Sequence, residues 1–197
     1  MSAEMSGKTL EQYGDLASGI REIVLSEPEI KQRITEIAQA ISIDYAGRNP
    51  LLVGVLKGVL FFMADLLQSL TIPAEMDFIA VSNYSNESRA QGVVRLVKDL
   101  EIPIQDRHVL FVEDVIDTGL TLNYILRNLR TRQPASLEVC VLFNKPDHRL
   151  IEIPLKYKGF DLPDRFVVGY GLDYRERFRN LPFVGLLKPD IFQSGPK

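Results

Sequence analysis

Apolar positions along the chain follow two rhythms, one helical and one continuous. Ser26-Glu27-Pro28-Glu29 sets a capping hydroxyl three residues ahead of a glutamate, with proline in the first turn. Ile30, Ile34, Ile37, Ala38, Ile41 and Tyr45 follow at helical spacing, so an amphipathic helix is expected to run to about Gly47. Leu51 to Leu56 is a short apolar run that reads as a buried strand, and after Lys57-Gly58 the residues Leu60, Phe61, Ala64 and Leu67 mark a helical face. Met76 to Val81 is a second strand. The polar stretch from Ser82 to Gly92 lacks a buried face and reads as a mobile loop or extended hairpin. Val93 to Val97, His108 to Val112 and Leu137 to Phe143 are further strands, and Leu122, Ile125, Leu126 and Leu129 mark a helix between the last two.

Strands apolar on both faces that alternate with helices predict an α/β fold: a mainly parallel twisted sheet flanked by helices, with ligands at the strands' carboxyl ends. Beyond Asn144 the spacing shortens and prolines accumulate at 146, 154 and 163, before Arg165 to Tyr174 and a last apolar run from Phe183 to Leu187. This tail is expected to form a smaller lobe over the sheet edge. There is no internal repeat, low-complexity tract or long linker.

The run from Leu51 to Leu70 has the length of a membrane span but carries Lys57 and Asp65. Each would cost about 2.5–3.5 kcal/mol near a bilayer centre, so a strand, loop and helix explain it better. Residues 1–16 have neither a basic stretch nor an apolar core, and no export is expected. A net charge of -3 supplies no general attraction to nucleic acid or to an anionic membrane, so any anion must be bound locally. Cys140 is the only cysteine, which excludes an intramolecular disulfide, and two histidines leave a zinc site short of ligands. A cytoplasmic chain without structural zinc is expected. Cys140 sits in an apolar strand, and His108 and His148 stand too far apart to suggest a site.

The chemistry concentrates in Phe111 to Thr121, FVEDVIDTGLT, where an apolar strand delivers Glu113, Asp114 and Asp117 ahead of a Thr-Gly-Leu-Thr turn. If Asp117 to Thr121 forms a tight turn, successive backbone N–H groups, the Thr118 and Thr121 hydroxyls and the helix N-terminus converge on one point and favour a phosphate. Gly119 lets the backbone approach closely. Asp117 or Thr118 could instead merely cap the helix, which leaves Glu113 and Asp114 unexplained. Adjacent carboxylates suit neighbouring sugar hydroxyls and can help hold magnesium. A phosphate pocket beside a diol pocket describes ribose 5-phosphate.

This segment resembles the signature of the type I phosphoribosyltransferases, in which two acidic residues and a DTG-x-T loop bind the phosphoribosyl group of phosphoribosyl pyrophosphate (PRPP). On that resemblance Glu113, Asp114, Asp117, Thr118, Gly119, Leu120 and Thr121 bind the phosphoribosyl group, and Asp117 is the acid-base residue at purine N7. From Leu51 to Leu187 the chain is similar to the hypoxanthine-guanine phosphoribosyltransferases, especially those of bacterial type. The Leu56-Lys57-Gly58 turn would bind pyrophosphate through backbone amides and the lysine; outside the resemblance Lys57 reads as a solvated charge. Ser82-Asn83-Tyr84 resembles the mobile loop's Ser-Tyr pair, with Asn83 in the serine's place and both Asn83 and Tyr84 on pyrophosphate. Lys145 matches the lysine at the purine 6-oxo group, a cationic donor that selects hypoxanthine or guanine over adenine. Phe166 matches the aromatic stacked on the base and Val167 the backbone that reads its edge, although either suits a core equally. Asp173 matches a magnesium ligand at the purine side, with Glu113 and Asp114 as the others. Arg179 matches a pyrophosphate-binding arginine; on composition alone, Arg175, Arg177 and Arg179 form a solvated face.

The resemblance implies a single phosphoribosyltransferase domain over 1–197, with a core at about 48–145 and a hood from the N- and C-terminal segments. It implies magnesium as cofactor, PRPP and a 6-oxopurine as substrates, and a homodimer or homotetramer without nucleic-acid or membrane partners. The implied reaction yields IMP or GMP and pyrophosphate, with residues 82 to 92 closing over the centre. Two rivals remain: a xanthine-preferring transferase, and a nucleotide-sensing RNA-binding regulator of the same fold. The -3 charge and the retained base-reading positions oppose the second.

Overall fold

The computed structural model describes residues 10–83 and 94–193. The chain divides into two compact units, Met1–Arg33 with Arg165–Lys197, and Ile34–Asp164.

The second unit is built on a six-stranded sheet. Its strands are β2 (Leu51–Leu56), β3 (Glu75–Asn83), β4 (Val94–Lys98), β5 (His108–Ile116), β6 (Ser136–Asn144) and β7 (Tyr157–Asp161), in the order β4-β3-β2-β5-β6-β7. All neighbours are parallel except the β3–β4 pair. Leu51, Leu52, Val53, Val109, Leu110, Phe111 and Val112 are fully buried, as central strands of a sheet covered on both faces require. The chain leaves β2 through α3 (Leu60–Ser69) toward β3 on one side, and leaves β5 through α4 (Leu120–Arg130) toward β6 on the other. The strand order therefore reverses between β2 and β5, and in open α/β sheets the crevice outside such a switch point is where ligands bind.

Helix α2 (Glu27–Asp44) buries Ile30, Ile34, Ile37, Ala38 and Ile41 as the spacing predicts, and it stops three residues short of Gly47. Glu29 reaches back to accept both the Ser26 backbone N–H, at 2.8 Å, and the Ser26 hydroxyl, at 2.6 Å. Helix α4 likewise buries Leu122, Ile125, Leu126 and Leu129. Helix α3 departs from expectation: it buries Phe62, Met63 and Leu66, while Leu60 and Phe61 are exposed. Its apolar residues run nearly all round, so periodicity left the rotational phase open. Strand β3 also continues through Ser82 and Asn83 into an antiparallel pairing with β4, so the expected loop begins later than Ser82. Tyr84 and the rest of that stretch lie outside the described residues.

Strand β7 extends the sheet past the prolines, where the sequence offered only YKGFD between breakers. Its Tyr157 hydroxyl donates to Asp44 Oδ2 at 2.6 Å. Burial, then the Asp44 bond, pushes the Tyr157 phenol above its ordinary range, and burial pushes Tyr45 up to about 12. Unfolded tyrosine ionises near pH 10, whereas these native phenols hold their protons, so stability is full below that pH and falls above it. Tyr157→Phe should cost about 1 kcal/mol at neutral pH and flatten the alkaline fall. Urea unfolding at about pH 8 and about pH 11 checks both, and an unchanged alkaline slope would refute it.

The first unit holds a three-stranded antiparallel sheet in the order β1-β9-β8, from β1 (Ile20–Leu25), β8 (Val167–Val168) and β9 (Val184–Leu187). Short helices α1 (Asp15–Ser18) and α5 (Pro189–Gln193) flank its ends in sequence. Ile20, Val168, Phe178, Leu181, Phe183 and Leu187 form its core.

Candidate active site

In the second unit, the two loops of the switch point carry most of the candidate residues. Lys57 and Gly58 follow β2 directly, Lys57 exposed and Gly58 buried. The peptide bond between Leu56 and Lys57 is cis. A Cβ built on Gly58 would lie 1.9 Å from Asp114 Oδ2, so the Asp114 carboxylate rests on the glycine's bare Cα. Glycine is therefore required here by contact rather than by torsion.

Glu113 and Asp114 lie within β5, not beyond it, and successive strand residues point to opposite faces. Asp114 Oδ1 accepts its neighbour Val115's N–H at 2.9 Å, while Glu113 Oε2 is buried with no hydrogen-bond partner. Burial, with the Asp114 charge beside it, pushes the Glu113 carboxyl well up. A buried, unpartnered carboxyl oxygen of this kind is open to a hydrogen-bond donor or a hard cation. Among the described residues no group of three or more His, Cys, Asp or Glu side chains gathers as a metal cage. Carboxylate oxygens are nonetheless the donors magnesium takes, and it commonly needs only one or two of them, so a carboxylate from either residue fits, with substrate and water completing the shell.

The turn after β5 is compact. Gly119 is the N-cap of α4 at φ 82°, in the left-handed region. A Cβ there would lie 3.1 Å from the Ile151 carbonyl oxygen. The Thr118 carbonyl accepts from Leu150 and Ile151 at 3.0 and 3.3 Å, pinning the turn to the segment after β6. Thr118 Oγ1 meets the Leu120 N–H at 3.4 Å, too long to cap strongly. The first turn of α4 holds no acidic residue, and Leu120 and Thr121 are exposed. The Asp117 carboxylate bonds to His148 at 2.7 Å, so the capping alternative does not describe its hydrogen bond.

Lys145 follows β6, its N–H donating to the Ile116 carbonyl at 3.0 Å, which sets it beside the end of β5. Asn144 donates to Asp161 at 2.5 Å and accepts from Arg149, and Lys158 donates to Asp161 at 2.7 Å. A cavity of about 270 Å³ opens here, lined in part by Asn144, Arg149 and Lys158.

In the first unit, Phe166 is 42 % exposed and edge-on to Tyr174 with ring centroids 5.6 Å apart, whereas Val167 is buried. The Phe166 carbonyl accepts from Leu187 at 3.1 Å. Asp173 and Arg179 are brought together: the guanidinium meets Asp173 Oδ1 at 2.8 Å and donates to the Gly171 carbonyl at 2.7 Å. Asp173 Oδ2 also accepts the Glu176 N–H at 2.9 Å. Arg175 and Arg177 are exposed, as composition suggested, and Arg179 is set apart from them by this pairing.

A family model described as the phosphoribosyl transferase domain matches residues 21–175. The chain belongs to that family. It is 45 % identical over 196 residues to the hypoxanthine-guanine phosphoribosyltransferase of Mycobacterium avium, covering 96 % of this chain and 97 % of the relative. A crystal structure of a hypoxanthine phosphoribosyltransferase from Staphylococcus aureus superposes with a TM-score of 0.85 at 40 % identity, covering 89 % of this chain and 95 % of that one. A third relative is the Trypanosoma cruzi hypoxanthine phosphoribosyl transferase, solved to address the role of its C-terminal region in oligomeric state and activity. It has a TM-score of 0.84 and 39 % identity, covering 89 % of this chain and 95 % of that one. The mainly parallel sheet flanked by helices is the fold these phosphoribosyltransferases share.

Two residues escaped the sequence reading. His148 meets Asp117 across 31 residues and Asp164 meets His148 across 16, separations at which no local pattern signals contact.

Proposed function

We propose that this protein transfers the 5-phosphoribosyl group of PRPP to hypoxanthine or guanine, giving IMP or GMP and pyrophosphate in purine salvage. The observation that carries this reading is the switch point itself. One loop there presents Lys57 and Gly58, the other presents Glu113 to Thr121, and Gly58 is moulded against Asp114.

The backbone N–H groups of the 117–121 turn and the start of α4 bind the 5-phosphate, helped by the macrodipole and the acid-free first turn. Glu113 and Asp114 take the ribose hydroxyls, and these carboxylates would be the ones to hold magnesium. The cation would supply electrostatic relief to the pyrophosphate leaving group. Lys57 binds the pyrophosphate and neutralises charge gathering on it. Purine N9 attacks carbon 1 with inversion as the electron pair of the bond to pyrophosphate departs with the leaving group. The N7 proton passes to Asp117, and the electron pair it leaves stays in the purine ring. Lys145 donates to the 6-oxo oxygen, Phe166 stacks on the base and the Val167 backbone reads its edge. For Asp173 to serve magnesium and Arg179 pyrophosphate, their mutual ion pair has to open.

Homo-oligomerisation as a dimer or tetramer belongs to the same reading, and oligomeric state is a property addressed for the Trypanosoma cruzi relative through its C-terminal region. Cytoplasmic residence agrees with the substrate, and among the described residues no helix is long and apolar enough to cross a membrane. The decisive assay follows nucleotide formation from hypoxanthine, guanine and xanthine with PRPP and magnesium. IMP and GMP should form with xanthine the poorest acceptor, and no turnover with any 6-oxopurine would reject the proposal.

A further inference from the structure

His148 closes the one-turn segment Pro146–His148 after β6. Its Nδ1 lies 2.7 Å from Asp117 Oδ1, and its Nε2 bonds to Asp164 Oδ1. Ionised carboxylates only accept hydrogen bonds, and a neutral imidazole has one donor and one acceptor nitrogen. Both contacts are therefore satisfied together only by the imidazolium. The three side chains are 36 %, 55 % and 60 % exposed, a setting in which ion pairs add little to stability. A fold-holding role is accordingly a weak explanation for fixing three side chains at this spot, the more so because one of them is Asp117.

We propose that His148 is a positioning residue for Asp117: held by Asp164, the imidazolium fixes one Asp117 oxygen and leaves the other to receive the purine N7 proton. This rests on the reading of Asp117 as the proton acceptor. In the transfer the N7–H bond breaks, an O–H bond forms at the unclamped Asp117 oxygen, and His148 keeps both its protons. The charged groups acting on the ring are Asp117 from the β5–α4 turn and Asp164 from the segment after β7. Its chain neighbours are Asp147 and Arg149, the latter turned to Asn144.

The Asp164 bond first, then the Asp117 bond, raises the His148 pKa above its ordinary value. The clamp is thus complete at low pH and is lost as pH rises through that raised pKa. The wild-type kcat should show an alkaline limb tracking the His148 titration. In His148→Gln, which bonds without titrating, that limb should vanish and kcat at its best pH should fall about 10- to 100-fold, the scale of a modest misplacement. The ring's nitrogen resonances, followed by NMR in substrate-free protein, should titrate above 6.5 in the wild type and lower in Asp164→Asn. An active wild type whose alkaline limb survives in His148→Gln overturns the positioning role alone. A ring titration unmoved by Asp164→Asn overturns it as well. Absence of any purine transfer by the wild type overturns the proposed reaction and this role with it.

Discussion

Asparagine in place of Asp117 is expected to lower kcat by about 10²–10⁴-fold, the usual worth of general acid-base catalysis, while leaving the KM for PRPP within a few-fold of the wild type. The amide keeps the carboxylate's shape, and its oxygen can still accept from His148, so the turn's frame of Gly119 against Ile151 and Thr118 against Leu150 is undisturbed. What it lacks is a basic oxygen for the N7 proton. Of the groups proposed to hold PRPP only the Asp117 side chain changes, and the turn's backbone, Glu113, Asp114 and Lys57 are untouched. An interaction made only in the transition state lowers kcat and kcat/KM together. Steady-state kinetics with both substrates varied would therefore separate the roles. A parallel loss of PRPP affinity would show that Asp117 holds the loop rather than moving the proton.

The sheet was legible because its central strands are apolar on both faces. Leu51 to Leu56 and His108 to Val112 declare themselves through buried Val and Leu runs. Strand β7 was not, since YKGFD holds only two aromatic positions between prolines and gains its place from pairing with β6. Strand β1, IREIVL, was missed for a similar reason, because its partner β9 lies over 150 residues away in the chain. The site residues in FVEDVIDTGLT were legible because the local order of acid, turn and helix start is itself the chemistry. His148 and Asp164 were not, for they become a cluster only through tertiary pairing with Asp117. Composition alone left Arg179 one of three equivalent surface arginines and only the family resemblance singled it out, whereas its ion pair with Asp173, reached through left-handed backbone at Arg175, Glu176 and Phe178, was not legible.

Replacing Gly58 by alanine should damage the site out of proportion to its size. The added carbon would lie 1.9 Å from Asp114 Oδ2 and 2.9 Å from its Cγ, so the carboxylate or the Lys57-Gly58 turn must move by more than an ångström. Asp114 has little room to yield, being buried and tied to the Val115 N–H through its other oxygen. Overpacking of this kind costs about 1–3 kcal/mol of stability. Displacing a substrate-orienting group by about 1 Å can cost 10²-fold in rate. The kcat/KM for PRPP should fall about 100-fold on the same scale, because both proposed PRPP loops share this contact. Gly54 provides the control. A Cβ there would meet the Val59 and Met63 side chains at 2.8 and 3.0 Å, buried apolar groups rather than a carboxylate. Gly54→Ala should thus lower the urea midpoint by a comparable amount with PRPP kinetics little changed. If the two variants lost kcat/KM for PRPP equally, the Gly58–Asp114 contact would be ordinary packing and not part of the substrate cradle.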